Sequence, residues 1–338
     1  MDDEAQSIAQ CDPFNYPSVS TYLGETNIYA VVALCVGLLL FFSVLFVFID
    51  TVRYVVRYSS LKVKAHTIFV TAVYPVTCWG SLLVIVVPRA QVISEALIQI
   101  TFTSGLYQLY CLYVGYGGGH KALLNKLENF ELSVKTGPCC CWPCFSLVPK
   151  FDTTRKALIF LRALILQLPI VQSFIYISLL VVWSENKVLY QSVYSYTQVI
   201  LVISIILGLW GMFMTVELFG CILEEDFSIL QKFRIYRLVL IFSKLQALIT
   251  KIFVWTNVLP CDPPMTQMTY ANLIHNMLLL IEMFFLAILS RNEYKQEIPK
   301  TVKKPQFIAN IENIGIKPME DNKRSELGYD NQACDVSI

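Results

Sequence analysis

Residues 27–49 read NIYAVVALCVGLLLFFSVLFVFI, and this stretch decides the fold class of the chain. It contains no charged residue. A helix needs about 20 mostly apolar residues to cross the hydrocarbon core of a bilayer. The stretch therefore indicates a membrane-spanning helix.

Six further stretches have a similar length and a mostly apolar composition. They cover residues 66–87, 94–114, 157–182, 193–219, 238–255 and 271–290. Over all 338 residues, 56% are hydrophobic, 15% are charged and the mean hydropathy is +0.57. These values are too apolar for a soluble protein of this size. The sequence predicts an all-α membrane protein with seven transmembrane helices.

The connections between these stretches differ sharply in positive charge. Residues 50–65, 115–156, 220–237 and 291–338 together hold 21 Lys and Arg, whereas the N-terminal tail and the alternate connections hold 2. Cytoplasmic segments carry the excess of Lys and Arg in membrane proteins. We therefore expect an extracellular tail at residues 1–26, a transmembrane domain at residues 27–290 and a cytoplasmic tail at residues 291–338. The last tail is polar without an apolar period, which predicts disorder.

Charge and histidine content argue against two other classes of protein. The net charge of +1 provides no basic field of the kind that gathers nucleic acid. The three histidines, His66, His120 and His275, lie in different segments. No metal-ligand spacing and no pairing of a nucleophile with a base is apparent. We expect no enzyme activity, no bound metal and no cofactor.

A cysteine-rich run lies in the predicted cytoplasmic loop, at residues 136–145. It contains Cys139, Cys140, Cys141 and Cys144 beside aromatic residues. Clustered thiols at a membrane interface favour S-acylation, for example by palmitoyl chains that would hold the loop at the inner leaflet. A zinc site and an unmodified apolar turn remain alternatives, although three contiguous cysteines converge poorly on one tetrahedron.

Two cysteines, Cys11 and Cys261, fall on the predicted extracellular side. Disulfides form in oxidising compartments. A bond between them would hold the N-terminal tail over the outer end of the helices, and we keep this pairing as a hypothesis.

Several short motifs resemble those of the organic solute transporter alpha-subunit family. The most specific is the run TGPCCCWPC at residues 136–144. The others are Pro88-Arg89, Gly117-Gly118-Gly119, Leu279-Leu280-Ile281-Glu282 and Cys261-Asp262-Pro263-Pro264. The likeness extends from about residue 27 to residue 295.

The resemblance implies a plasma-membrane carrier, basolateral in polarised epithelium. Such a carrier moves amphipathic organic anions, including bile acids, steroid conjugates and eicosanoids, in both directions without ATP. It also implies a heteromer with a single-span beta subunit, and a higher oligomer is possible. Membrane lipids are expected partners of any such chain.

Polar side chains at membrane depth are the candidate binding residues. A charge at a helix centre costs about 2.5–3.5 kcal/mol on insertion scales, so its presence there indicates a function that offsets the cost. Lys244 and Lys251 are seven residues apart, as are His275 and Glu282, so each pair shares a helix face. We expect the lysines to bind a substrate anion and Glu282 to hold Lys244 in its absence. The alternative is a purely structural Lys244–Glu282 bridge. Gln246 is a candidate partner for a sterol hydroxyl.

Two other classes of protein compete with a carrier. Seven helices with an outer N-terminus are also the architecture of G-protein-coupled receptors. The third stretch, however, ends in Gly115-Tyr116-Gly117 without an Asp/Glu-Arg-Tyr motif, and the seventh lacks Asn-Pro-x-x-Tyr. A non-transporting membrane scaffold or trafficking protein of the same fold remains the alternative.

Overall fold

The protein is described by a computed structural model for residues 19, 22, 28–127, 131–132, 151–152, 154–261 and 266–296. Within these residues the chain is almost entirely helical. The α-helices are α1 (Ile28–Tyr58), α2 (Leu61–Val86), α3 (Gln91–Tyr116), α4 (His120–Leu127), α5 (Arg155–Glu185), α6 (Lys187–Phe227), α7 (Ile229–Trp255) and α8 (Gln267–Gln296). A short 3₁₀ helix, Pro88–Ala90, joins α2 to α3. Two two-residue strands, β1 (Glu131–Leu132) and β2 (Phe151–Asp152), pair antiparallel.

Each predicted apolar stretch corresponds to one long helix, but the helices extend further than the apolar stretches. The first continues to Tyr58, and α6 has 41 residues. At 1.5 Å per residue α6 is about 60 Å long, whereas the hydrocarbon core is about 30 Å thick. Apolar composition identifies only the part of a helix that lies inside the hydrocarbon. It does not predict how far the helix continues outside this layer.

Six of the long helices are long and apolar enough to cross a membrane. The exception is α3, which was predicted as the third crossing. It carries Gln91, Glu95, Gln99 and Gln108, and more than half of its residues are buried by neighbouring helices. A helix shielded from lipid by protein does not need a uniformly apolar surface. The seventh crossing stays a prediction.

The helices pack so that α2 and α3 lie at the centre. α8 packs against α1, α2 and α7, while α3 packs against α2 and α5. α5 and α6 form a closely packed hairpin. α3 and α7 touch over only a short stretch. This arrangement leaves space between α3 and the α7–α8 pair.

Two of the connections between long helices are single residues with defined end geometry. Asn186 separates α5 from α6, and its Oδ1 accepts hydrogen bonds from the backbone N–H groups of Val188 and Leu189 at 2.9 and 3.2 Å. Such a cap satisfies donors at the start of a helix. Ser228 separates α6 from α7 in a left-handed conformation, with φ of 46°. A single left-handed residue ends a helix and redirects the chain.

The first and last long helices are joined by charged side chains near their predicted cytoplasmic ends. Asp50 Oδ2 on α1 lies 2.7 Å from Arg291 Nη2 and 2.6 Å from Lys295 Nζ on α8. These side chains are partly exposed. Pairs of this kind contribute at most about 1 kcal/mol each when solvent reaches them, so the contact mainly orients the two helix ends.

The cysteine predictions fall mostly outside the described residues. Cys139, Cys140, Cys141 and Cys144 lie there, as does Cys11. Cys261 is disulfide-bonded in the structure. Its pairing with Cys11 stays a prediction. Among the described residues, Cys35, Cys78, Cys111 and Cys221 form no disulfide.

Candidate functional site

The structure brings three of the five predicted binding residues to one cavity of about 470 Å³. Lys244 and Lys251 line it from α7, and His275 lines it from α8. Binding sites for small molecules have volumes of about 300–1,000 Å³ and mostly apolar walls with a few polar groups. The cavity therefore has the size of a site for an amphipathic organic molecule.

The cavity occupies one end of the helix bundle. Its walls come from the starts of α3, α6 and α8 and from the final parts of α2, α5 and α7. The connections between α2 and α3, α5 and α6, and α7 and α8 lie at this end. In the orientation predicted from positive charge, this is the extracellular end.

The position of the lysines follows from helical spacing. Residues seven apart lie on nearly the same face of a helix, and Ala247 and Val254 share this face and also line the cavity. Elsewhere on its surface α7 exposes Leu245, Leu248 and Ile252, among other apolar residues. α7 thus combines an apolar exposed surface with two lysines that line the cavity.

Most of the wall is apolar and aromatic. Trp183 and Trp255 line it near the ends of α5 and α7, and Tyr190 and Tyr194 line it from α6. Aliphatic side chains complete this part of the surface: Val84, Val92, Ile98, Val254 and Leu279. An apolar wall with two ammonium groups matches a ligand that has both an apolar body and a negative charge.

A second, much smaller cavity shares part of its lining with the first. Its volume is about 10 Å³, and Thr77, Gln99, Ser243 and Lys244 supply its polar lining. This is close to the space that one water molecule needs. Thr77 is buried, and its Oγ1 has no hydrogen-bond partner. Lys244 thus lines both the wide cavity and the small one.

Glu282 and Gln246 are not among the described residues that line the cavity. Gln246 Nε2 donates a hydrogen bond to Glu282 Oε1, which joins α7 to α8. A step of two residues turns the direction of the side chain by about 200° around a helix. Gln246 therefore faces nearly away from Lys244. The structure thus pairs Glu282 with Gln246, and among the described contacts no ion pair joins Glu282 to Lys244.

The acidic residue of the site is not among the five binding residues predicted from the sequence. It is Glu95 on α3, which lines the cavity. Tyr194 OH donates to Glu95 Oε1 at 3.4 Å, and Lys251 Nζ donates to Tyr194 OH at 3.0 Å.

A pattern in α3 could have revealed this wall. Gln91, Glu95 and Gln99 are four residues apart, so they form one polar stripe on a helix, and all three line the cavity. The stripe shows which face of α3 is polar. It does not show that this face is opposite α7, which depends on how the helices pack.

Among the residues that the structure describes, no group of three His, Cys, Asp or Glu side chains is placed to hold a metal ion. The side chains that line the cavity offer ammonium, carboxylate, imidazole, amide and hydroxyl groups. These groups bind by charge and hydrogen bonding.

Comparison with known proteins gives one consistent result. A family model described as organic solute transporter Ostalpha matches residues 32–298. The chain is similar to organic solute transporter subunit alpha of Danio rerio, with 28% identity over 74% of this chain and 78% of the relative. The same subunit of Leucoraja erinaceus is 27% identical over 74% of this chain and 72% of the relative.

An organic solute transporter alpha-like protein of Drosophila melanogaster is 23% identical over 84% of this chain and 85% of the relative. No solved structure matches the chain. The matched residues 32–298 include all the helices that form the cavity and more than half of the chain. The chain therefore belongs to the organic solute transporter Ostalpha family.

Proposed function

We propose that this protein is the alpha-type subunit of a facilitative carrier for amphipathic organic anions such as bile acids, steroid conjugates and eicosanoids. The observation that carries the proposal is the single cavity in which Lys244, Lys251 and His275 meet an apolar, aromatic wall. The names of the relatives support a transporter-subunit role.

The two lysines are the groups that would hold the anion. An ammonium group in a partly desolvated site attracts a carboxylate or sulfate more strongly than it would in water. His275 would add a hydrogen bond from the α8 side. The tryptophan and tyrosine rings would cover the apolar body of the ligand. Gln246 and Glu282 would hold α7 against α8 behind this wall.

Transport in both directions without ATP agrees with the absence of a nucleotide-binding motif from the sequence. The glycine cluster at residues 117–119 is not followed by Gly-Lys-Ser or Gly-Lys-Thr, the signature of a phosphate-binding loop. The gradient of the anion itself would then set the direction of net flux.

We further propose seven crossings, with the N-terminus outside and the C-terminus in the cytoplasm. At 1.5 Å per residue the 26-residue helix α3 is about 39 Å long, which exceeds the hydrocarbon thickness. It packs beside α2 and α5, which are both apolar enough to cross. A short turn joins α2 to α3, so α3 would return through the same layer.

The remaining parts of the proposal concern the cell. The protein would act at the plasma membrane, basolaterally in polarised epithelium, together with a single-span beta subunit. Acyl chains on Cys139, Cys140, Cys141 and Cys144 would hold the cytoplasmic loop at the inner leaflet. A Cys11–Cys261 disulfide would fasten the N-terminal tail near the cavity.

The test is uptake and efflux of a radiolabelled sulfated steroid by cells that express this chain alone or with a single-span beta subunit. Surface biotinylation controls for the amount of protein at the cell surface. We expect saturable flux in both directions that persists after ATP depletion. An absence of flux in both cell lines, despite normal surface levels, would favour the non-transporting scaffold.

A further inference from the structure

Glu95 supplies the one carboxylate among the described residues that line the cavity. Two lysines line the same space, so this wall combines one negative with two positive side chains. A carboxylate is not expected in a site that only has to attract anions, because it repels them. Its presence calls for a role of its own.

Hydrogen bonds connect Glu95 to Lys251 through Tyr194. Tyr194 OH lies 3.0 Å from Lys251 Nζ and 3.4 Å from Glu95 Oε1, so the phenol joins the two charged groups. Lys251 Nζ also lies 4.9 Å from the centre of the Tyr194 ring. Lys244 and His275 line the same cavity as Glu95 and feel its charge. The carboxylate therefore shares one space with the groups that would bind an anion.

Charge balance explains what such an arrangement does. With neutral His275 and without Glu95, the empty cavity would hold two positive charges in a partly desolvated space, which is costly. Glu95 neutralises one of them. When an organic anion enters, its negative charge balances a lysine in place of Glu95. The anion and Glu95 then repel each other. The carboxylate therefore stabilises the empty cavity and weakens the loaded one.

We propose that Glu95 is the internal counter-ion of the cavity, which the organic anion displaces from the lysines and which later assists release of the anion. The inference rests on the proposed carrier function and specifies how its site loads and unloads. Tyr194 is a positioning residue in this scheme, because it acts through Glu95 and Lys251.

Substitution Glu95→Gln keeps the size of the side chain and removes its charge. We expect the apparent KM for a radiolabelled sulfated steroid to fall by about tenfold, as removal of one nearby like charge should allow. The maximal flux should fall several-fold, because release becomes slower. Glu95→Asp should stay close to the wild type. Glu185→Gln makes the same charge change on an exposed residue outside the cavity and should leave both values unchanged.

A binding measurement separates this inference from transport itself. Trp183 and Trp255 line the cavity, so binding of the sulfated steroid to the purified full chain should quench tryptophan fluorescence. The Kd of Glu95→Gln should be about tenfold lower than that of the wild type. Tyr194→Phe, which keeps the ring and removes the link to Glu95, should shift the Kd in the same direction by a smaller factor.

The outcomes distinguish the two proposals. If the wild type binds but does not transport, the carrier function fails while the Kd of Glu95→Gln still decides the role of Glu95. An equal or higher Kd in both Glu95→Gln and Tyr194→Phe, with thermal unfolding like that of the wild type, would overturn the counter-ion role. Absence of steroid binding by the wild type would overturn both proposals.

Discussion

At the scale of single residues, Lys244 and Lys251 occupy different parts of the same cavity. Lys251 is exposed and contacts Tyr194, near the end of the bundle. Lys244 is half-buried and lines both the cavity and the smaller second cavity. A charge that is more desolvated interacts more strongly with an anion. Lys244 is therefore the side chain on which anion binding should depend most.

Lys244→Ala is expected to reduce flux of a sulfated steroid by roughly tenfold or more, since a charge-assisted hydrogen bond contributes about 1.5–3 kcal/mol. Surface level should stay normal, because Glu282 is paired with Gln246 and does not depend on Lys244. Flux measured with surface biotinylation checks both statements. Lys126→Ala, at an exposed position on α4, is the matched control. Loss of the protein from the cell surface would instead indicate a structural lysine.

For single residues, helical spacing predicts which side chains share a face but not which of them reach the cavity. Spacing predicts that Lys244 and Lys251 share one face of the helix, and both line the cavity. The same argument grouped His275 with Glu282, yet only His275 reaches the cavity. Equal spacing defines a face of one helix. Which neighbour covers each turn of that face is decided by packing.

At the scale of elements, the α5–α6 hairpin shows how the helices approach closely. A Cβ atom at Gly208 would collide with the side chain of Leu168, and one at Gly211 would lie 2.9 Å from Leu164 Cβ. Nearby, Gln167 Nε2 donates to Ser204 O at 3.0 Å, while Ser204 Oγ donates to Gln167 Oε1 at 2.9 Å. Small residues and interhelical hydrogen bonds are the usual means of helix association in membranes.

Gly208→Ala should therefore destabilise the protein by about 1–3 kcal/mol, because the added methyl group must displace Leu168 or separate the two helices. The measurement is the thermal unfolding midpoint of the purified protein in detergent. Gly37→Ala is a suitable comparison, since its Cβ would lie 3.2 Å from Leu82 Cδ1 and 3.3 Å from Leu280 Cδ1. Its midpoint should fall less. Equal midpoints for both variants would contradict close packing at Gly208.

At the scale of the whole molecule, the number of crossings determines the sides on which the two tails lie. Seven crossings place them on opposite sides of the membrane, while six place them on the same side. The helix that decides between these numbers is α3, which is long enough to cross but is not among the six helices that are both long and apolar enough. Its polar stripe lines the cavity, so the helix whose crossing is in question is also a wall of the proposed site.

An epitope tag at each end of the chain tests this topology. We expect a tag before Met1 to be stained on intact cells and a tag after Ile338 to be stained only after permeabilisation. The positive-charge asymmetry and a crossing α3 together predict this result. Staining of both tags only after permeabilisation, or of both on intact cells, would indicate an even number of crossings.

The sequence by itself determined the helical membrane architecture, the approximate position of each long helix and the face of α7 that carries Lys244 and Lys251. These properties depend on the composition and periodicity of local segments, because hydrocarbon requires satisfied backbone groups and apolar side chains along each crossing. The family resemblance noted from the cysteine run and the shorter motifs is confirmed by the match over residues 32–298.

Only the tertiary structure decided which polar groups meet. It placed Glu95 of α3 in the same cavity as the two lysines of α7. Tyr194 of α6 links Glu95 to Lys251 by hydrogen bonds, and Glu282 is hydrogen-bonded to Gln246. The reason is physical. A helix presents several faces, and the depth and rotation at which two helices meet follow from the packing of many side chains, including the close approach at Gly208, rather than from the period of either helix.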